Sequence, residues 1–142
     1  MEPVDEWVLT NPGKAILETG GAILMAEYGG VPAGTVGLRK VDEYTWEFTK
    51  MAVDEKFRRL GIAEAISYAS FKKAKLLGAK KIILYSNKLN DGAIKLYEKI
   101  GFSHLEVEQG VYKRADVKMG IDIETAVHSA IEYDKRILYN VR

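Results

Sequence analysis

Arg58-Arg59-Leu60-Gly61-Ile62-Ala63 constrains this chain most, because of what flanks it. Trp46 to Val53 reads as a strand, and Glu64 to Leu77 reads as a helix with Ile66, Ala69, Ser70, Ala74 and Leu77 at helical spacing. Gly78 is its natural stop. Strand, Arg/Gly turn and helix together form an anion cradle. The first N–H groups of a helix have no partner inside it, and the helix dipole adds positive potential at the same end. Gly61 admits a ligand without a Cβ in the way, and Ala63 is small enough for nearly the same approach. Arg58 and Arg59 supply charge-assisted hydrogen bonds.

The turn lacks the Lys-Ser/Thr ending of a P-loop and the three glycines of a dinucleotide fingerprint. Its form is R-x-x-G-x-A. A second block follows one helix and one strand later: Asn90-Asp91-Gly92-Ala93-Ile94-Lys95-Leu96-Tyr97-Glu98-Lys99-Ile100-Gly101-Phe102. The two blocks resemble the GCN5-related N-acetyltransferases, the GNAT superfamily. That family has an acetyl-CoA pyrophosphate loop Q/R-x-x-G-x-G/A and a later N-x-x-A-x-x-L-Y-x-x-x-G-F. The resemblance covers roughly residues 14 to 123, most of the chain.

Composition sets the outer bounds. A chain of 142 residues with 47% hydrophobic and 29% charged residues is expected to form one α/β domain with a proper core. A net charge of +1 argues against a general nucleic-acid or anionic-membrane partner, and so against a nucleic-acid-binding reading of Lys72, Lys73, Lys75, Lys80 and Lys81. That lysine cluster reads first as a solvated face; contact with the coenzyme's 3′-phosphate or an acidic partner is the alternative. The absence of cysteine removes disulfides, thiolate zinc sites and a cysteine nucleophile. His104 and His128 are isolated, so no metal is expected. No apolar run has transmembrane length and no signal-peptide pattern is seen, so the expected location is cytoplasmic.

Three antiparallel strands are expected before the long helix: Gly21–Tyr28, Ala33–Val41 and Tyr44–Val53, turning at Gly29-Gly30 and Asp42-Glu43. Lys80–Ser86 reads as a strand buried on both faces around Ile82-Ile83-Leu84-Tyr85. Asn90 is a good helix N-cap, and Phe102–Val107 and Asp116–Ile123 read as closing strands. The implied fold is a mixed, mostly antiparallel twisted sheet flanked by helices, open in a V between strands 45–53 and 80–86. Family members usually begin with a further strand and helix. The roughly twenty residues before Gly21 are too few for that whole unit, with at most a helical turn at Gly13–Glu18. Glu124 to Arg142 adds an amphipathic helix with Val127, Ala130, Ile131, Ile137 and Leu138 on its apolar stripe and Asp134 the misfit. It is expected to cover the vacated surface in its own chain or, as an exchanged element, in a homodimer.

The resemblance implies an acetyl-CoA-dependent N-acetyltransferase acting on a primary amine of a small molecule or peptide, by direct attack in a ternary complex. Glu47 matches the place where some members carry a catalytic glutamate, others using a water chain. Flanked by Trp46 and Phe48, it is expected to be partly desolvated and so a better base; a salt bridge is the plain alternative. Tyr97 matches the tyrosine that protonates the coenzyme A thiolate. Met51, Ala52 and Val53 are implied to pair with the pantetheine like an added strand. A bulge near Met51 or Ala52 would free an N–H for the oxyanion. The turn Arg58, Arg59, Leu60, Gly61, Ile62 and Ala63 would hold the pyrophosphate, and Asn90 and Ala93 would flank the pantetheine arm. Asp116 stands near where the family places its acceptor, as a cation contact or a plain turn-edge pair. A coenzyme A-binding interaction protein without useful catalysis is the rival reading: the short N-terminus favours it, and Glu47 and Tyr97 together favour the enzyme.

Overall fold

The computed structural model describes residues 5–8, 20–108 and 115–140, with 5–8 and 138–140 described by backbone alone. Seven strands form one sheet in the order β1-β2-β3-β4-β5-β7-β6. They are β1 (Asp5–Val8), β2 (Ala22–Tyr28), β3 (Val31–Lys40), β4 (Thr45–Val53), β5 (Lys81–Ser86), β6 (Ser103–Leu105) and β7 (Val117–Asp122). The helices are α1 (Ile62–Leu76), α2 (Asp91–Ile100) and α3 (Ile123–Asn140), with a 3₁₀ turn at Glu55–Phe57. No helix among the described residues is long and apolar enough to cross a membrane.

The meander forms where the turn chemistry demands. Gly29 and Gly30 both hold positive φ, 59° and 81°, which suits the tight hairpin joining β2 to β3. Val41 and Asp42 N–H both donate to the Thr45 carbonyl to close the next turn. One expectation fails at the N-terminus. β1 pairs antiparallel with β2, from Asp5 opposite Glu27 to Val8 opposite Leu24, so the chain does supply a strand ahead of the meander. Its brevity hid it: a four-residue segment carries too little periodicity to read. The helical turn expected at 13–18 lies outside the described residues.

Every neighbouring pair in the sheet is antiparallel except β4 with β5. That parallel ladder joins only Thr45–Lys81, Trp46–Ile82 and Glu47–Ile83, although β4 continues to Val53 and β5 to Ser86. The strands then part, which is the expected V.

Alternation along β4 gives the sheet two distinct faces. Phe48 lies on the helix face, with its ring 5.7 Å from Tyr97 and 5.9 Å from Phe102, while Phe71 of α1 packs on Phe102 at 5.6 Å. Glu47 and Thr49 point the other way. The C-terminal helix folds onto its own chain, with Ile123, Ala126 and Ala130 buried and Tyr133 stacked on Tyr68 of α1 at 4.5 Å. Asp134 is no misfit, since it pairs with Lys72 at 3.0 Å, and Lys75 likewise reaches Glu124 at 3.1 Å. Part of the lysine cluster is thus a helix-pairing surface. Ile131 departs from the expected stripe and is 46% exposed. The rest of that face holds, with Ala126 and Ala130 buried and Val127 packed partly against the core, and the small side chains allow close helix approach.

Candidate active site

The parting of β4 from β5 has a local cause. Thr35 lies opposite Ala52 but Gly37 lies opposite Thr49, so β4 carries one residue more than β3 between these pairs. That extra residue is a β-bulge, and Lys50 within it holds a left-handed backbone at φ 55°. The bulge turns the strand away from β5 and disrupts the regular ladder beside Met51 and Ala52. Past it, Ala52 is exposed, while Met51 and Val53 half-bury against the core.

The expected cradle follows at once. Arg58, Arg59, Leu60 and Gly61 are all exposed. Arg59 and Gly61 both hold positive φ, 66° and 80°. Gly61 does so without steric penalty; Arg59 carries a cost of about 1–2 kcal/mol that the turn sustains. Gly61 is the N-cap of α1, and no side chain caps the helix. The first intrahelical bond runs from Ala65 N–H to the Gly61 carbonyl at 3.0 Å. The N–H groups of Ile62, Ala63 and Glu64 therefore open the helix without a side-chain acceptor, a geometry that fits a pyrophosphate. Ile62 is buried and fixes the helix end against the sheet.

On the other side of the V, Asn90 takes the N-cap position of α2, yet its side chain makes no capping bond. The expected cap is made by backbone alone, with Ile94 N–H donating to the Asn90 carbonyl at 3.1 Å. The loop is instead braced by Asn87, whose side-chain oxygen accepts from Leu89 N–H at 2.8 Å. Asp116 adds a second brace, accepting from Lys88 N–H at 2.8 Å, so it is a turn-edge anchor. Ala93 is half-buried against the core. Tyr97 is 8% exposed on the helix face, and burial pushes its phenol pKa above the ordinary value. A raised phenol keeps its proton through neutral pH and remains a donor.

On the opposite face a cavity of about 370 Å³ lies over the V, lined by Glu47, Thr49, Tyr85, Ser86, Asn87, Asn90 and Ala115. Glu47 is 2% exposed, as its apolar neighbours suggested, but it is ion-paired: Arg39, directly opposite it on β3, donates from Nη2 to Oε1 at 2.7 Å. The plain alternative and the buried carboxylate thus coexist. Sequence reading missed Tyr85, Ser86 and Asn87 as cavity residues. The signal lay in the strand end itself, where the apolar run of β5 gives way to polar side chains just ahead of Asn90. Among the described residues, no three metal-binding side chains come together.

The comparisons with known proteins bear on this arrangement. The sequence profile of the Acetyltransferase (GNAT) family matches residues 2–102. The chain is 33% identical to the N-acetylaspartate synthetase of Rattus norvegicus over 106 residues, 74% of this chain and 33% of that protein. The N-alpha-acetyltransferase of Sulfurisphaera tokodaii is 40% identical over 63 residues, 44% of this chain and 38% of that one. The chain thus spans well under half the length of these relatives. Among solved structures, a Bacillus subtilis acetyltransferase in complex with CoA superposes with a TM-score of 0.70 at 20% identity, covering 84% of this chain and 99% of that one. A GNAT acetyltransferase from Elizabethkingia anophelis with acetyl-CoA bound gives 0.68 at 21% identity, covering 84% and 97%.

Proposed function

Because this chain belongs to the GNAT acetyltransferase family, we propose that residues 1–142 act as one acetyl-CoA-dependent N-acetyltransferase domain, acting on a primary amine of a small molecule or peptide by direct attack in a ternary complex. The observation that carries this reading is the window between β4 and β5. Glu47 lines the cavity over it on one face of the sheet, and Tyr97 packs against Phe48 of β4 on the other. The names of the matched relatives refer to the synthesis of N-acetylaspartate and to the acetylation of α-amino groups, and both accord with a primary amine as acceptor.

Bound acetyl-CoA supplies the activated thioester. The N–H groups of Ile62 and Ala63, with Arg58 and Arg59, hold the pyrophosphate, and Leu60 and Gly61 shape its approach. Met51, Ala52 and Val53 offer the unpaired edge of β4 to the pantetheine arm, as a strand addition would. Asn90 and Ala93 face it from the start of α2. A backbone N–H at the bulge, beside Met51 and Ala52, stabilises the developing oxyanion. Glu47 takes the amine proton, directly or through water, while Arg39 orients its carboxylate. Tyr97 returns a proton to the thiolate from the far face. The base and the acid thus act from opposite faces of the sheet.

The test is a panel of primary amines incubated with acetyl-CoA, with free thiol read as product. Amine-dependent thiol release supports transfer. Tight coenzyme A binding with no amine-dependent release across the panel would favour a binding protein without catalysis.

A further inference from the structure

Gly34 stands between the two segments assigned to the coenzyme. It lies on β3 opposite Val53, next to Thr35 opposite Ala52, and the Asp54 N–H closes this short ladder on the Ala33 carbonyl at 2.8 Å. Beyond the bulge this ladder ties the end of β4 to the sheet, because β5 has already parted from it. The usual reason for a glycine does not apply here. Gly34 lies within a strand, and its backbone is not left-handed. A glycine inside a strand weakens it, and marks a place where something approaches closely.

What approaches is specific. A methyl group at Gly34 would stand 3.1 Å from the Ala52 carbonyl oxygen and 3.3 Å from both Ile62 Cγ2 and Val53 Cγ2. Comfortable carbon contacts sit at about 3.5–4.0 Å, so these neighbours would have to give by a few tenths of an ångström. Ala52 meets the methyl with backbone, and Ile62 is 1% exposed at the first turn of α1. All three belong to the strand edge and the helix N-terminus that seat pantetheine and pyrophosphate. Any side chain at this point drives a wedge between the two.

We infer that Gly34 is a positioning residue for the coenzyme: its missing side chain sets the spacing between the released edge of β4 and the N-terminus of α1, so that one acetyl-CoA molecule engages both. It acts through Ala52, Val53 and Ile62 and touches no reacting atom. The inference rests on the acetyl-CoA reading of this cleft. The fold and the ligand respond differently to a methyl group here. Alanine restricts the unfolded chain more than glycine does, which offsets part of what crowding costs the folded state. A ligand held at two points has no such offset, since moving one seat lengthens its hydrogen bonds at the other.

Gly120 of β7 supplies the matched comparison. A methyl there would meet Leu105 Cδ1 at 2.7 Å and Lys81 Cε at 3.3 Å, crowding at least as close, but β7 lies on the far side of β5 from β4. The test is calorimetric titration of acetyl-CoA into the wild type, Gly34→Ala and Gly120→Ala, each checked for folding by thermal melting. Gly34→Ala is expected to raise the acetyl-CoA Kd about tenfold, the scale of one hydrogen bond to a charged group, and Gly120→Ala to leave it unchanged. In the free protein the amide resonances of Val53 and Ile62 are expected to shift in Gly34→Ala while those of β7 stay in place. An unchanged Kd in folded Gly34→Ala overturns the inference, and so does an equal loss in Gly120→Ala, which would make the effect one of crowding anywhere in the sheet. A Gly34→Ala chain that fails to fold overturns it too, because the glycine would then serve the fold and not the ligand. Wild-type protein that binds no acetyl-CoA would instead overturn the coenzyme site itself, and this inference with it.

Discussion

The two edges of β5 behave differently. Toward β7 each residue from Lys81 to Ser86 has a register partner, from Asp122 back to Val117. Toward β4 the pairing stops at Ile83. One strand is thus firmly laddered on one side and released on the other. The closed edge keeps the site's outer wall in register, and the open edge provides unsatisfied backbone where a ligand can take the place of a strand. Rigidity and vacancy are separated by the width of one strand, which is why Tyr85 and Asn87 can be held firmly next to an opening.

Predictions follow the same division, beginning with the open side. Gly61→Asp places a carboxylate where the helix N-terminus should meet pyrophosphate and forces an L-residue to φ 80°. Calorimetry should show acetyl-CoA affinity falling at least about 100-fold, on the scale of a lost charge-assisted site, with the fold retained. Tyr97→Phe should lower kcat roughly 10- to 1,000-fold and spare acetyl-CoA binding. Because burial raises the Tyr97 phenol, the basic limb of the wild-type pH–rate profile should fall above the ordinary tyrosine value of 10.0, and the variant should lack that limb. Glu47→Gln should reduce kcat roughly 10- to 1,000-fold and spare acetyl-CoA binding; a wild-type kcat would reject Glu47 as the base.

Away from the window, where α3 packs on α1, the effects are on stability. Ala130 is fully buried where α3 meets α1, so Ala130→Glu buries an unpaired charge. A loss of more than about 2 kcal/mol is expected in urea unfolding, with the coenzyme site unchanged in the fraction that remains folded. Asp134→Asn breaks only the exposed pair with Lys72 and should cost under about 1 kcal/mol.

How far this could be read from sequence follows the same line. The shape of the open side was legible in part: the strand–turn–helix at Arg58–Ala63 follows short-range rules of helix-end chemistry, whereas the block from Asn90 to Phe102 was legible only through the family resemblance. The acceptor side was not, because it is assembled from register. The pairing of Arg39 with Glu47 depends on how β3 lies against β4, and the contact of Tyr85 with Glu108 joins residues on separate elements. Nothing in either local sequence announces its partner. The short strand β1 escaped notice because four residues carry too little periodicity to read, and only its pairing with β2 identifies it. Asn90 shows the reverse error: a residue type suited to capping took the capping position but left its side chain to the cavity.

If the released edge of β4 is the coenzyme's seat, amide hydrogen exchange reads that edge out residue by residue. Adding acetyl-CoA should slow exchange at Met51, Ala52 and Val53 and at the first amides of α1, Ile62 and Ala63, while the amides of β7 keep their rates. Saturating acetyl-CoA that leaves Met51 to Val53 exchanging as before, with protection elsewhere, would contradict it.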